Sequence, residues 1–152
     1  MGQYRINTAA PNLVTICIDQ ISDGEYSGRL YHKYKNQAVP FRESGQMISI
    51  LDRFYDEINY PQASTRYRSF QKKKRNDTEA APSKDRREPI QVMSAEEVLK
   101  HQGAEATFVL HVQFRQNSTW QGKLVWMEEE AEESFCSVLE LLKLLDGALM
   151  QD

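Results

Sequence analysis

Three histidines and two cysteines are the side chains of this sequence best suited to nucleophilic or metal chemistry. His32, His101 and His111 lack metal-ligand spacing with one another and with either cysteine. Cys17 and His111 occupy equivalent positions in two similar segments, so a Cys–His nucleophile pair is one interpretation. The alternative is that both belong to a half-exposed strand face. Sequence signatures of serine hydrolases, phosphate-binding loops, zinc proteases and dinucleotide-binding folds are all lacking.

Asp52 and Asp146 form a second equivalent pair, each in the latter half of a predicted helix. Paired carboxylates can act as acid–base catalysts or as metal ligands. The alternative is that both face solvent or cap the ends of their helices. We therefore predict no catalytic residue, no metal and no cofactor, and we expect a protein that is not an enzyme.

The segment 66–75 combines positive charge with aromatic rings, a composition typical of single-stranded nucleic-acid sites. It contains six basic side chains, two aromatic rings and no acidic residue, and it includes Arg66, Arg68 and Phe70. One alternative is a solvated run of charges. Another is a contact with the glutamates of residues 128–133, in the same chain or in another copy.

Two similar successions of elements must position these residues. Alternating apolar and polar residues predict the strands, and apolar residues at helical spacing predict the helices. The first succession is a strand over 13–20, a turn at 22–24, a strand over 26–34 and a helix over 44–58 with Ser44 as its cap. The second is a strand over 107–114, a turn at 116–118, a strand over 120–127 and a helix beginning at Ser137.

The two successions align without a gap at an offset of 94 residues, so that Gly28 falls on Gly122 and Phe41 on Phe135. This offset predicts a duplication with units 13–59 and 107–152; the alternative is a chance alignment of two similar motifs. One hairpin with one helix buries too little apolar surface to fold alone. We therefore predict a single α+β domain. Its two ββα units form a two-layer sandwich, in which a four-stranded antiparallel sheet carries two main helices on one face with pseudo-twofold symmetry.

Charge and hydropathy divide the 152 residues unevenly. Residues 60–93 carry a net charge of +5 and residues 94–152 a net charge of −7. The segment 71–89 contains no Val, Ile, Leu or aromatic residue, which predicts a mobile basic linker. The mean hydropathy is −0.65, and no apolar run is long enough to cross a membrane. The first residues do not resemble a signal peptide, so we expect a cytoplasmic protein without membrane contacts.

Several residues outside the predicted core define a candidate partner surface. Arg29, Tyr31 and Lys123 lie on the predicted outer face of the sheet, where basic and aromatic groups can contact a partner. The acidic C-terminal third opposes nucleic acid at this face, because phosphate binding needs a positive field. The complete predicted surface comprises Arg29, Tyr31, Arg66, Arg68, Phe70, Asn117, Trp120 and Lys123.

The stretches 28–32, 61–65, 68–70 and 114–122 resemble small uncharacterised proteins of Gram-positive, clostridial-type anaerobes. The resemblance covers most of the chain outside the linker. It carries no assigned activity, so it implies no catalytic, cofactor-binding or metal-binding residue.

These patterns favour a non-enzymatic binding or regulatory protein that acts through protein–protein contacts with an unidentified partner. The second predicted helix is apolar nearly all round, with Leu139, Leu144 and Ala148 outside its main stripe, so we also expect a homodimer. The alternative function is binding of RNA or single-stranded DNA through the segment 66–75.

Overall fold

The computed structural model describes residues 5–61, 90–115 and 119–150. The strands of this part of the chain are β1 (Val14–Ser22), β2 (Glu25–His32), β3 (Val39–Phe41), β4 (Ala106–Phe114), β5 (Gln121–Trp126) and β6 (Ala131–Phe135). The helices are α1 (Ser44–Ile58), α2 (Ala95–Leu99) and α3 (Val138–Leu149).

All six strands form one antiparallel sheet in the order β3-β2-β1-β4-β5-β6. The predicted four-stranded sheet with two helices, built from two ββα units, is therefore wrong: the described residues contain six strands and three helices. Sequence analysis missed β3 because it has three residues and contains Pro40, and missed β6 because it carries Glu132 and Glu133. Such residues are depleted in strands, but here they occupy the two sheet edges, where they are tolerated.

The strand registers of the first half recur 94 positions later in the second half. Gly28 pairs with Phe41 and Gly122 pairs with Phe135. The register of β1 against β2 shifts between Ile18 and Gln20, and that of β4 against β5 shifts between Val112 and Phe114, the equivalent step. The offset is thus a regularity of the folded backbone, while an origin by duplication stays a prediction.

The main core lies between one face of the sheet and the helices α1 and α3. The buried residues of β1 and β4 on this face follow the strand alternation, and α1 contributes Met47, Leu51, Phe54 and Tyr55. The largest fully buried side chains include Tyr26, Tyr55, Phe108 and Phe135. Burying such a side chain stabilises the fold by about 1.5–3 kcal/mol relative to leaving it exposed.

The opposite face of the sheet is also covered, which the two-layer prediction did not foresee. A second apolar cluster there contains Leu13, Cys17 and Val109, together with Val98 of α2. The hydroxyl of Thr15 donates to the Val98 carbonyl at 2.8 Å, which holds α2 against β1. The first five residues of β1 are consequently buried on both faces.

Arg115, just after β4, fastens the end of α1 to the sheet. Its side chain is 1% exposed. Its Nε donates to the Pro61 carbonyl at 2.6 Å, and its Nη1 lies 2.7 Å from an oxygen of Asp56. Asn59 ends the helix in the left-handed region, and its backbone N–H donates to the Asp56 carbonyl at 3.2 Å.

Candidate functional site

Arg29 and Tyr31 bind a segment of their own chain. Arg29 donates to both carboxylate oxygens of Asp19, at 2.7 and 3.0 Å, and to the Tyr31 hydroxyl at 2.7 Å. The Tyr31 ring stacks on His101 with a centroid distance of 3.5 Å, and Tyr31 is buried. Because Arg29 also donates to the Gln102 carbonyl, these side chains hold the chain after α2 on the sheet. Neither Arg29 nor Tyr31 is therefore the freely exposed side chain that the predicted partner surface requires.

The carboxylate of Asp19 completes this network. It accepts the backbone N–H of Ala104 at 3.0 Å in addition to the two Arg29 bonds. The Arg29 guanidinium holds the pKa of Asp19 below its usual value, and the Ala104 bond acts in the same direction.

Lys123, the counterpart of Arg29, has a more open environment. Its ammonium lies 3.6 Å from an oxygen of Glu132, and its side chain is 42% exposed. It lines a cavity of about 260 Å³ on the same face of the sheet as Tyr31.

Trp120 is part of the main core and not of the surface. It is 2% exposed and meets the Tyr55 ring edge-on, with a centroid distance of 5.3 Å. Its predicted role in a partner surface does not fit this position. The other predicted contacts, Arg66, Arg68, Phe70 and Asn117, lie outside the described residues, as do the basic segment 66–75 and the linker 71–89.

The members of the candidate catalytic pairs lie in unlike environments. Burial raises the pKa of the Cys17 thiol to about 11, so the nucleophilic thiolate is disfavoured. Asp52 lies 3.8 Å from Arg115, and burial and the neighbouring Asp56 raise its pKa. Asp146 lies in different surroundings: burial raises the pKa of Tyr26, and the charge of Asp146 raises it further.

A second concave site is a cleft of about 350 Å³ that sequence analysis did not identify. We call it the α1 cleft. It lies between one face of α1 and the ends of β2 and β3. Its lining comprises His32, Tyr34, Lys35, Val39, Ile50, Arg53, Phe54, Glu57, Ile58 and Ile90. The five lining residues from α1 recur at the three- and four-residue spacing of a helical stripe. Sequence analysis had used only its apolar members, Ile50, Phe54 and Ile58, in the pattern that predicts α1.

Aromatic rings form the floor of the α1 cleft. The imidazole of His32 stacks on Phe54 with a centroid distance of 3.9 Å, and Tyr34 packs at 6.0 Å from the same ring. Nδ1 of His32 accepts the backbone N–H of Tyr34 at 3.1 Å. Burial, with a smaller effect of Lys35, lowers the pKa of His32 to about 4. The imidazole is therefore neutral at pH 7, and the floor has no charge of its own.

An exposed apolar residue borders this cleft. Ile90 is 74% exposed, and Val92 nearby is 54% exposed. The backbone N–H groups of Val92 and Met93 both donate to the Lys33 carbonyl, at 2.6 and 3.0 Å. Gln91 also donates to the Tyr34 hydroxyl at 3.3 Å. These bonds attach the exposed segment to the end of β2.

Within residues 5–61, 90–115 and 119–150, no group of three His, Cys, Asp or Glu side chains could hold a metal ion. Over the same ranges, every helix is too short or too polar to cross a bilayer.

Comparisons with known proteins identify no relative. The chain matches no protein-family model, no curated protein and no solved structure. The resemblance to clostridial-type proteins stays a prediction.

Proposed function

We propose that this chain is a non-enzymatic binding or regulatory protein that acts through protein–protein contacts at the α1 cleft. The observation that carries this proposal is the position of Ile90, a 74% exposed isoleucine at the border of a cleft with an aromatic floor. Neighbouring exposed apolar side chains, here Ile90 and Val92, beside a cleft with an aromatic floor are typical of an interaction surface.

Covering Ile90 would remove apolar surface from water. Complete burial of an isoleucine side chain is worth about 1.5–3 kcal/mol, and Ile90 has gained little of this in the isolated chain. A partner that covers Ile90 and inserts an apolar side chain against Phe54 would gain this free energy. The backbone bonds at Val92 and Met93 already restrain the segment, which reduces the entropy lost on binding.

The rim charges favour a partner segment with acidic residues. Lys35 and Arg53 line the cleft, and Glu57 is the acidic residue among the lining side chains. Complementary rim charges mainly raise the association rate, and salt screens this effect. We therefore favour a partner that presents an apolar side chain flanked by acidic residues.

The test is site-specific photo-cross-linking in the native cell. A photoreactive amino acid is placed at position 90 or at Phe114, which is 50% exposed at the end of β4 and provides the control. We expect one defined protein to cross-link from position 90 and not from position 114. Ile90→Asp in a chain carrying the photoreactive residue at position 92 should abolish that product, whereas Phe114→Asp should retain it. Equal labelling from both positions, or capture that survives Ile90→Asp, would contradict the proposal.

Nucleic-acid binding through the segment 66–75 remains the alternative proposal. Its support is the six basic and two aromatic side chains of that segment. A titration with single-stranded RNA and DNA over increasing salt tests it, because phosphate contacts weaken steeply with ionic strength. If neither RNA nor DNA binds at low salt, this function is eliminated.

We also propose a cytoplasmic location and self-association through α3. The exposed Leu139 and the partly buried Leu144 of that helix support self-association. Sedimentation measures the oligomeric state of the wild-type chain and of Leu139→Asp. A wild-type chain that remains monomeric at high concentration would contradict the homodimer.

A further inference from the structure

Equivalent connections at the two ends of the sheet carry opposite charges. Residues 33–38, which connect β2 to β3, contain two lysines and no acidic residue. Residues 127–132, which lie 94 positions later, contain four glutamates and no basic residue. The chain leaves β2 beside the start of β1 and leaves β5 beside the start of β4. Because β1 and β4 are antiparallel, the two connections extend from opposite ends of the sheet.

At the basic end, the α1 cleft has cations for a partner. Lys33 is buried, and its ammonium donates to the Thr8 carbonyl at 2.7 Å. Lys35 and Arg53 are exposed at the cleft, and neither belongs to the four ion pairs among the described residues. Glu57 is the acidic residue of the lining. The cleft therefore presents two exposed cations beside one carboxylate.

At the acidic end, two carboxylates project from the connection between β5 and β6. We call residues 127–130 the acidic turn. Glu128 accepts the backbone N–H of Thr107 at 2.7 Å, so it holds the turn on β4. Glu129 and Glu130 are exposed and, within the described ranges, lie outside the same four ion pairs. They are opposite in sign to the two cations of the α1 cleft.

We propose that the acidic turn of a second copy of this chain occupies the α1 cleft, so that copies associate head to tail. This inference rests on the proposed function, because it names the partner of that cleft. Glu129 and Glu130 lie against Lys35 and Arg53, and their methylene groups cover part of Ile90. A chain cannot place the turn in its own cleft, since the two lie at opposite ends of one sheet. The cleft volume of about 350 Å³ suits side chains from a turn and not a whole element.

The proposed interface joins two different surfaces, the cleft of one copy and the turn of the next. Each pair of copies therefore retains one unused cleft and one unused turn, to which further copies can add. A contact through α3 would instead use the same surface twice and end at a dimer. Because the complementary groups are exposed charges, salt should weaken the head-to-tail association.

The test is sedimentation of chains that all carry Leu139→Asp, which removes the α3 contact. At about 20 mM salt we expect a dissociation constant between about 10 µM and 1 mM, with an average mass that rises past that of a pair. At about 500 mM salt the association should be at least about tenfold weaker. A chain that remains monomeric at low salt up to about 1 mM would overturn the proposal.

Two double variants identify the surfaces. The cleft variant carries Lys35→Gln and Arg53→Gln, and the turn variant carries Glu129→Gln and Glu130→Gln. Each alone should associate at least about tenfold more weakly than the parent. An equimolar mixture should form one-to-one pairs and nothing larger, because only one intact cleft and one intact turn can meet.

The matched control removes two exposed cations elsewhere, through Arg42→Gln and Lys100→Gln, and should associate as the parent does. If the cleft variant associates normally and the turn variant does not, the turn binds another basic surface, such as residues 66–75, and the proposal is wrong. Photo-cross-linking from position 90 separates this inference from the proposed function. A product of two copies supports both, whereas a product with a different protein overturns the head-to-tail contact and leaves the proposed function standing.

Discussion

Thr15 and Val109 face each other across β1 and β4 at the centre of the sheet, and Val109 lies 94 positions after Thr15. Thr15 and Val109 hold equivalent positions in the two halves of the sheet. Their antiparallel pairing therefore places a local twofold axis between them. Each half therefore offers a matched control for the other, and differences between them reflect side chains, since the strand registers are the same.

The close approach of the β4 backbone makes a glycine necessary at position 122 of β5. A Cβ at position 122 would overlap the His111 carbonyl oxygen and lie 2.9 Å from the Val112 Cα. We expect Gly122→Ala to lower the free energy of unfolding by about 1–3 kcal/mol, because backbone atoms must move. Gly147→Ala is the control, since nothing lies within 4 Å of its Cβ position in α3. It should raise stability by up to about 1 kcal/mol, through helix propensity. Urea denaturation measures both, and equal effects would contradict the close approach.

His32 should make the fold sensitive to acid. Its pKa falls from 6.5 to about 4 on folding, so the unfolded chain binds the proton more tightly. The free energy of unfolding is therefore highest above pH 6.5. It falls by about 3 kcal/mol in total as the pH decreases from 6.5 towards 4. His32→Asn retains an acceptor for the Tyr34 N–H and should flatten the change between pH 7 and 5. Urea midpoints across this range test it, and an unchanged slope in the variant would assign the acid sensitivity to other groups.

Arg115 should be required for the end of α1. Arg115→Met removes the donors to the Pro61 carbonyl and to Asp56 while retaining much of the side-chain volume. We expect a loss of about 1–3 kcal/mol, because the buried carbonyl remains unsatisfied. Arg53→Met, on an exposed position of α1, should change stability by less than about 0.5 kcal/mol. Thermal melts compare the variants. If Arg115→Lys is as stable as the wild type, the forked guanidinium geometry is not required.

The two cysteines should differ in reactivity. Cys136 is exposed, whereas Cys17 is fully buried with a pKa raised to about 11. An aromatic disulfide reagent should therefore modify one thiol in the native chain and two in denaturant. Cys136→Ser should remove the native reaction completely. Rapid modification of that variant would show that α2 opens readily from the sheet.

Local patterns predicted the hairpins and the main helices well. Apolar alternation identified β1 and β4, and the periodic residues Met47, Leu51 and Phe54 identified α1. Ser44, by contrast, is the first residue of α1, and Glu43 is the cap without a side-chain bond. Each success concerns residues whose role is decided within one turn or one strand.

Long-range packing explains what sequence analysis missed. Pro40 and Glu132 disfavour strands locally, yet pairing with β2 and β5 places both in the sheet. Trp120 follows a polar turn, and only its contact with Tyr55 of α1 shows that it is buried. The α1 cleft was equally hidden, because it combines α1, the end of β2 and Ile90 from distant parts of the chain.

The position of β1 has a consequence for fibril formation. Its apolar run from Val14 to Ile18 has the composition of a steric-zipper segment, but β2 and β4 occupy both of its hydrogen-bonding edges. The outermost strands carry Pro40 and the glutamates of β6, which resist the addition of another chain. Local opening of the edge strands β3 and β6 therefore leaves residues 14–18 of β1 paired on both sides. Amyloid nucleation by this segment requires β1 to separate from β2 or β4.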